Sequence, residues 1–249
     1  MADRLQRLAG QGEDSPEERE RRIRLMCLFA ELPEPPDPFG LYPSYAELKG
    51  RFLAAIEGSD SDALEEAFLL LYAHIHGYEV PYTPGERHRV AQTGGYLSHV
   101  GGLSPILKAA PFIGPATVSG DFGAGNGLQG LLIQTLNPHA KTVQVEISSR
   151  MVEAGKRLQA WLGIPEERVE WVVGDVSEVS PTGMDFIYLY RPVRPTGSGK
   201  AFYRRFAEQL RASQGPVVIF SVADCLRPYL SPDFEVVYAD GHLTCLRRS

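Results

Sequence analysis

The amino-acid sequence predicts an α/β fold: a mostly parallel β-sheet with helices on both faces and a C-terminal antiparallel hairpin, preceded by a helical N-terminal region. From about residue 111, short apolar runs alternate with stretches of helical periodicity, which is typical of a parallel sheet. Two later apolar runs flank Asp240-Gly241, a dipeptide typical of a two-residue hairpin turn. Before residue 110 the patterns are mostly helical.

The bulk composition suits a large α/β domain with an extension. The chain has 249 residues, of which 43% are hydrophobic, as in ordinary globular proteins. We therefore predict a helical cap over residues 1–110, covering the substrate, and an α/β domain over residues 111–249. The formal net charge of −6 argues against long contacts with a phosphate backbone, so a nucleic-acid partner is not expected.

Targeting signals and cysteines bear on location. No apolar stretch follows the first four residues, so we expect no secretory signal. The densest apolar run, around residues 68–72, is too short to cross a bilayer. Cys27, Cys225 and Cys245 are widely spaced and are interpreted as reduced thiols with packing roles. These features predict a cytoplasmic protein without membrane contact.

Three helices are predicted in the N-terminal region. Ser15-Pro16-Glu17-Glu18 combines an N-cap, a proline at the first position and a capping box, and the helix stops before Pro33. Ser44–Glu47 repeats the capping signature before a second helix that ends at Gly58. A third helix follows the polar cluster 59–62. Residues 83–105 are interpreted as a glycine-rich turn region.

The α/β region is divided by the spacing of its apolar runs. The parallel strands are predicted over 116–121, 142–147, 169–174, 185–190 and 216–220, the helices over 127–136, 149–162 and 200–212, and the hairpin strands over 234–239 and 242–247. No internal repeat or low-complexity tract interrupts the pattern.

A glycine-rich turn follows the first strand. In the segment from Asp121 to Gly127, glycines let the backbone bend sharply and let a ligand approach without a Cβ atom in the way. The segment resembles the Asp/Glu-x-Gly-x-Gly-x-Gly element of class I S-adenosylmethionine-dependent methyltransferases, with matches at Asp121, Gly123, Gly125 and Gly127 and with Phe122 inside the motif. The resemblance implies a Rossmann-like sheet and S-adenosylmethionine as cofactor. It also implies that Asp121 accepts a hydrogen bond from the methionine ammonium, directly or through water.

Two further segments match the cofactor-binding elements of that family. Glu146 ends the second strand, where the resemblance implies that it accepts hydrogen bonds from both ribose hydroxyls. Ile147 and Met151 are similar to the apolar positions that flank adenine. The segment after the third strand implies that Asp175 binds the adenine amino group and that Val176 supplies a backbone contact.

A dinucleotide-binding site is the competing interpretation. Residues 125–130 fit G-x-G-x-x-G, and Glu146 would then hold the ribose of a nicotinamide dinucleotide. Three features disfavour it. Asp121 places an acid where an anionic pyrophosphate would lie, the segment around Asp175 resembles the methyltransferase element, and a C-terminal hairpin is expected.

In the methyltransferase fold, residues at the end of the fourth strand lie beside the transferable methyl group. Many members that methylate amides or nucleobases carry Asn/Asp-Pro-Pro-aromatic there, whereas this chain has Tyr190-Arg191-Pro192-Val193. The departure disfavours glutamine, adenine or cytosine as acceptor. Tyr190 is a candidate to face the sulfonium or to orient the acceptor, and Arg191 is a candidate to clamp a carboxylate or phosphate.

A glycine-flanked segment upstream is a candidate lid. Residues 94–102 contain Tyr96 and His99 between pairs of glycines, and His99 is a candidate general base. His74 and His76 are two residues apart, so on a helix they point in different directions, and we expect no metal site.

Together these residues predict a methyltransferase that acts on a small molecule by in-line transfer from S-adenosylmethionine. A non-catalytic S-adenosylmethionine-binding module for interaction or regulation remains the alternative, because the fourth motif is atypical.

Overall fold

The computed structural model describes residues 4–6, 14–77, 82–96, 100–213 and 215–249. Its seven-stranded sheet has the order β3-β2-β1-β4-β5-β7-β6. The strands are β1 (Val118–Phe122), β2 (Lys141–Glu146), β3 (Val169–Val173), β4 (Phe186–Tyr190), β5 (Val217–Val222), β6 (Glu235–Ala239) and β7 (Leu243–Arg248). Strands β1–β5 are parallel, and β7 runs antiparallel to both β5 and β6. The predicted Rossmann-like sheet with a C-terminal hairpin is confirmed.

The α-helices cover both faces of the sheet. They are α1 (Pro16–Glu31), α2 (Tyr45–Glu57), α3 (Ser61–Ile75), α4 (Pro84–Thr93), α5 (Ser104–Lys108), α6 (Leu128–Leu136), α7 (Ser149–Trp161) and α8 (Ser198–Ala212). Within the described ranges, no helix is long and apolar enough to cross a bilayer. The three cysteines form no disulfide bond.

The N-terminal helices begin where their caps predict, with one difference. The capping box of α1 is present: the Ser15 hydroxyl accepts from the Glu18 N–H, and the Glu18 carboxylate accepts from the Ser15 N–H. Helix α3 is capped by Asp60. Ser44 precedes α2 as predicted but makes no side-chain cap, and its N–H instead donates to His74 Nε2 at 3.1 Å.

The prediction of a turn region over 83–105 is wrong for residues 84–93, which form α4. Thr83 and Glu86 form a second capping box, Pro84 takes the first turn, and Gly94 ends the helix with a φ of 77°. The capping signature was present in the sequence. It was missed because α4 is polar: its buried residues are Glu86 and Val90, so no apolar stripe marks it.

The C-terminal hairpin is present, but its turn lies one residue later than predicted. Gly241 has a φ of 89°, and Asp240 Oδ1 accepts from the N–H groups of His242 and Leu243 at 2.8 and 2.7 Å. The Asp240 N–H donates to the Leu243 carbonyl, so Gly241 and His242 form the centre of the turn.

Two hydrophobic cores lie on opposite faces of the sheet. On one face, helices α1–α3 and α5–α7 share a core with β4, β5 and β7, and the Phe112 ring packs edge-on against Phe220 with centroids 5.6 Å apart. On the other face, α8 places Phe206 against Phe122 at 5.0 Å. The N-terminal helices are thus part of the main core, and the division at residue 110 stays a prediction.

Close helix–sheet packing generates a testable prediction. A Cβ at Gly155 in α7 would lie 2.2 Å from Trp171 Cη2 and 2.7 Å from the Asn126 carbonyl oxygen, whereas one at Gly50 in α2 meets nothing within 4 Å. We expect Gly155→Ala to lower the free energy of unfolding by about 1–3 kcal/mol through overpacking. Gly50→Ala, the matched control, should raise it by about 0.5–1 kcal/mol. Urea unfolding measures both; equal effects would contradict the packing argument.

Candidate functional site

A cleft lies at the carboxyl ends of β1, β2 and β4. Because β1 lies between β2 and β4, the chain order reverses at this position, which is where ligands bind in open α/β sheets. The loops after these strands line it, together with His76, Tyr82, Val90, Thr93, Gly95, Tyr96 and Gly101. The predicted site residues that line it are Asp121, Gly123, Gly125, Glu146, Ile147, Met151, Asp175, Val176, Tyr96, Tyr190 and Arg191.

The glycine-rich turn is bound tightly to the end of β2. The N–H groups of Gly123 and Ala124 both donate to the Val145 carbonyl at 2.9 Å. Gly123 has a φ of 84°, and a Cβ there would lie 3.0 Å from Pro192 Cβ. Glycine at this position therefore satisfies both the backbone conformation and the contact with the loop after β4.

Glu146 connects the loops after β1 and β2. Its carboxylate accepts from the N–H of Gly125 and of Ser148, each at 2.9 Å, and only 4% of the residue is exposed. Burial raises the pKa of Glu146 to about 7; the backbone hydrogen bonds oppose this, and the charge of Glu86 adds to it. The carboxylate is thus held in place by the two loops before any ligand binds.

Asp121 is the second buried carboxylate of the cleft. It is 3% exposed, and its Oδ2 atom has no hydrogen-bond partner in the described part of the chain. Burial raises its pKa to about 7, against the lowering effect of the Gly130 N–H, and the charge of Glu146 raises it further. A buried carboxylate oxygen without a donor is a ready acceptor for a cationic or N–H-bearing ligand.

The remaining predicted cofactor residues divide into two groups. Asp175 lines the cleft and also caps the 3₁₀ turn Val176–Glu178, because its Oδ1 accepts from the Ser177 N–H at 2.8 Å. Phe122 and Gly127 do not line the cleft. The Phe122 side chain packs into the core on the other face of the sheet, and Gly127 makes room for the Trp171 ring.

Three of the four predicted catalytic residues meet at one end of the cleft. Tyr190 packs edge-on against His242 with centroids 5.9 Å apart, and the Arg191 guanidinium carbon lies 4.8 Å from the centroid of the Tyr96 ring. His99 lies outside the described residues.

A buried polar network beside Asp121 was not predicted. Tyr72 Oη donates to Gln129 Oε1 at 2.7 Å, and His76 Nε2 lies 2.8 Å from Tyr72 Oη. Tyr188, the register partner of Asp121 on β4, has a buried hydroxyl that finds no partner among the described residues. Tyr188 lies two residues before Tyr190 on the same strand face, so the period-2 alternation of strands was a usable signal.

Burial determines the protonation state of His76. Burial lowers the pKa of His76 to about 4, and its hydrogen bond to Gln129 opposes this. The imidazole is therefore neutral at physiological pH. His74 instead accepts from the Ser44 N–H, so the two histidines point to different partners, as their spacing predicts.

The segment from Tyr82 to Tyr96 crosses the cleft and is anchored at both ends. At one end, Glu86 accepts from the Ser148 hydroxyl. At the other, Gly95 bridges Val193, and the Tyr96 N–H donates to the Pro192 carbonyl at 3.2 Å. We call this segment the strap.

Comparison with known proteins yields matches among solved structures only. No protein-family model matches the chain, and no curated protein matches its sequence. The chain is similar to an RNA methyltransferase from Salinibacter ruber in complex with S-adenosyl-L-homocysteine, with 20% identity over 68% of this chain and 92% of that chain and a TM-score of 0.44. It is also similar to a methyltransferase from Geobacter sulfurreducens, with 13% identity over 68% and 93% and a TM-score of 0.45. At these identities, the functional inference draws on the residues of the site.

The raised pKa of Asp121 generates a prediction about stability. In the folded protein it stays protonated up to pH about 7, against an ordinary pKa of 3.8, so folding takes up a proton between these values. Stability from this group therefore falls as pH rises from about 4 to about 7. At pH 8, we expect Asp121→Asn to raise the free energy of unfolding of the ligand-free protein by about 1–3 kcal/mol.

The measurement is urea unfolding of both proteins at pH 5 and pH 8. The difference between variant and wild type should grow with pH. Glu66→Gln, at an exposed position on α3, is the control and should show no such growth. If the difference in free energy of unfolding between Asp121→Asn and the wild type is the same at both pH values, the buried-charge interpretation is wrong.

Proposed function

We propose that this protein is an S-adenosylmethionine-dependent methyltransferase that acts on a small molecule. The observation that carries the proposal is the unpartnered Oδ2 of Asp121, almost fully buried at the glycine-rich turn. A ligand that brings a cationic ammonium to this oxygen supplies the missing donor and stabilises the charged carboxylate.

The charge of the cleft favours this cofactor over a dinucleotide. Asp121, Glu146 and Asp175 all line it. Three carboxylates attract a cofactor that carries a sulfonium and an ammonium, and they repel the pyrophosphate of a nicotinamide dinucleotide. Residues 125–130 also fit the dinucleotide pattern, but Asp121 lies beside the turn that a pyrophosphate would need.

The other cofactor contacts follow from the loops after β2 and β3. Glu146, already oriented by two backbone N–H groups, accepts from the ribose hydroxyls. Ile147 and Met151 provide apolar walls for adenine, and Asp175 accepts from its amino group. The three carboxylates, at the ends of β1, β2 and β3, thus follow the order of the three polar parts of the cofactor: the ammonium, the ribose hydroxyls and the adenine amino group.

The transfer step requires alignment and exclusion of water. When bound, the cofactor supplies an activated methyl group on a sulfonium. Tyr190 lies at the end of β4, where it shapes the space around that methyl and orients the acceptor. The strap covers the cleft from above and, through Tyr82 and Tyr96, adds two aromatic rings to its wall.

A small acceptor fits the enclosure of the site. The strap is tied to Ser148 at one end and to Pro192 and Val193 at the other, so it crosses the cleft opening. The net charge of −6 further disfavours a polyanionic acceptor such as a nucleic acid.

Cofactor affinity tests the assignment of Glu146. We expect Glu146→Ala to weaken binding of S-adenosylhomocysteine by about 10–100-fold, because charge-assisted hydrogen bonds are lost. Isothermal titration calorimetry measures the effect. Glu153→Ala is the control, because this exposed glutamate on α7 pairs with Arg157 on the surface. Wild-type affinity in a folded Glu146→Ala protein contradicts the ribose assignment, and tight binding of NADH by the wild type revives the dinucleotide interpretation.

Turnover tests the role of Tyr190 and the enzyme assignment together. With a metabolite extract as acceptor source, the wild type should convert S-adenosylmethionine to S-adenosylhomocysteine. We expect Tyr190→Ala to lose most turnover while it still binds S-adenosylhomocysteine, which lacks the positive charge. If the hydroxyl orients the acceptor, Tyr190→Phe should lose about a hundredfold. Cofactor binding without turnover on any extract favours the non-catalytic module instead.

A further inference from the structure

The backbone at Arg191 is strained. Its φ is 30°, in a region that residues other than glycine rarely adopt, and the following residue is a proline, which restricts Arg191 further. Neighbouring contacts hold it there: Tyr190 pairs with Val222 in the sheet, and Val193 bridges Gly95 on the strap. Strain of this kind persists only where the surroundings fix it, and it concentrates at functional sites.

The Arg191 side chain has an unsatisfied donor. Its Nε atom is buried and has no hydrogen-bond partner in the described part of the chain. The guanidinium carbon lies 4.8 Å from the centroid of the Tyr96 ring, and Arg191 lines the cleft. This cation–π contact does not provide a hydrogen-bond acceptor for the Nε–H group.

Arg191 brings a positive charge to a cleft whose other charged lining residues are acidic. Among the described lining residues it is the one arginine, and no lysine lines the cleft. Over the same residues it forms no ion pair with an Asp or Glu. The cleft carboxylates lie at the ends of β1, β2 and β3, whereas Arg191 follows β4. One side of the cleft therefore suits a cation and the other an anion.

We propose that Arg191 forms an anion-binding subsite and that the methyl acceptor is a small molecule bearing a carboxylate or phosphate group. The Nε–H and a neighbouring Nη–H form the edge of a guanidinium that binds two oxygens of such a group in parallel. The bound anion supplies the acceptor that Nε lacks. The proposal rests on the proposed function, since it concerns the acceptor end of that site.

The experiment follows the Nε–H resonance of Arg191 in nitrogen-labelled protein saturated with S-adenosylhomocysteine. Acetate and inorganic phosphate are titrated separately, with chloride at equal ionic strength as the reference. Acetate or phosphate should shift the resonance saturably, and the tighter of the two identifies the group. Chloride should not.

Three variants test the assignment. Arg191→Lys keeps the charge but lacks Nε, and Arg191→Gly removes the side chain while relieving the backbone strain. We expect each to weaken anion binding at least about tenfold, followed through the backbone resonances of the cleft. Arg191→Gly should keep or raise the melting temperature, which separates lost binding from lost folding. Arg205→Gln is the control for net charge, because Arg205 is an exposed arginine on α8 that does not line the cleft, and it should change the affinity less than about twofold.

Two results overturn the subsite: no saturable shift with acetate or phosphate, or equal loss of binding in Arg205→Gln and Arg191→Gly, which indicates unspecific attraction to positive charge. Calorimetry with S-adenosylhomocysteine on the same samples separates this failure from the failure of the proposed function. If the cofactor product does not bind but acetate still shifts Arg191, the methyltransferase assignment fails and the anion subsite survives.

Discussion

Two buried carboxylates, those of Asp121 and Glu146, impose the constraint around which the site is built. Burial raises the pKa of each to about 7. The protein offsets part of this cost for Glu146 with two backbone N–H donors, whereas Asp121 Oδ2 has no hydrogen-bond partner among the described residues and the Gly130 N–H only partly lowers the pKa of Asp121. Glu146 therefore shapes the ligand-free site, whereas Asp121 can accept a hydrogen bond from a bound ligand. A ligand that supplies a donor to Asp121 therefore recovers part of the free energy that burial of this carboxylate costs the ligand-free protein.

Small residues allow these polar groups to lie beneath helix α6. In the register of the sheet, Gln144, Asp121 and Tyr188 lie side by side on β2, β1 and β4. A Cβ at Gly130 would come 2.4 Å from Gln144 Nε2 and 3.3 Å from Asp121 Oδ2. The glycine that fits the third position of a dinucleotide fingerprint therefore serves close packing over a polar row, which explains why the two fingerprints overlap in this chain.

The strap joins the N-terminal region to both halves of the site. Glu86 contacts Ser148, which also donates its N–H to Glu146, so one serine connects the strap to Glu146. At its other end, Tyr96 contacts the strained turn at Arg191. This end of the cleft is consequently built from segments about 100 residues apart in the chain.

Local sequence determined the α/β alternation, the hairpin and the capped helices α1 and α3, because periodicity, caps and glycines act over a few residues. The resemblance of the loops after β1 and β2 to the family elements also identified several residues that line the cleft, although Phe122 and Gly127 do not line it. Helix α4 was not predicted, because its sequence is polar and lacks the apolar spacing of a helix that packs against a core. Only the tertiary structure decided that Tyr72, His76 and Gln129 form one buried network and that the strained Arg191 lies against Tyr96 of the strap. These features depend on sheet register and on helix packing between distant segments, and no local pattern encodes either.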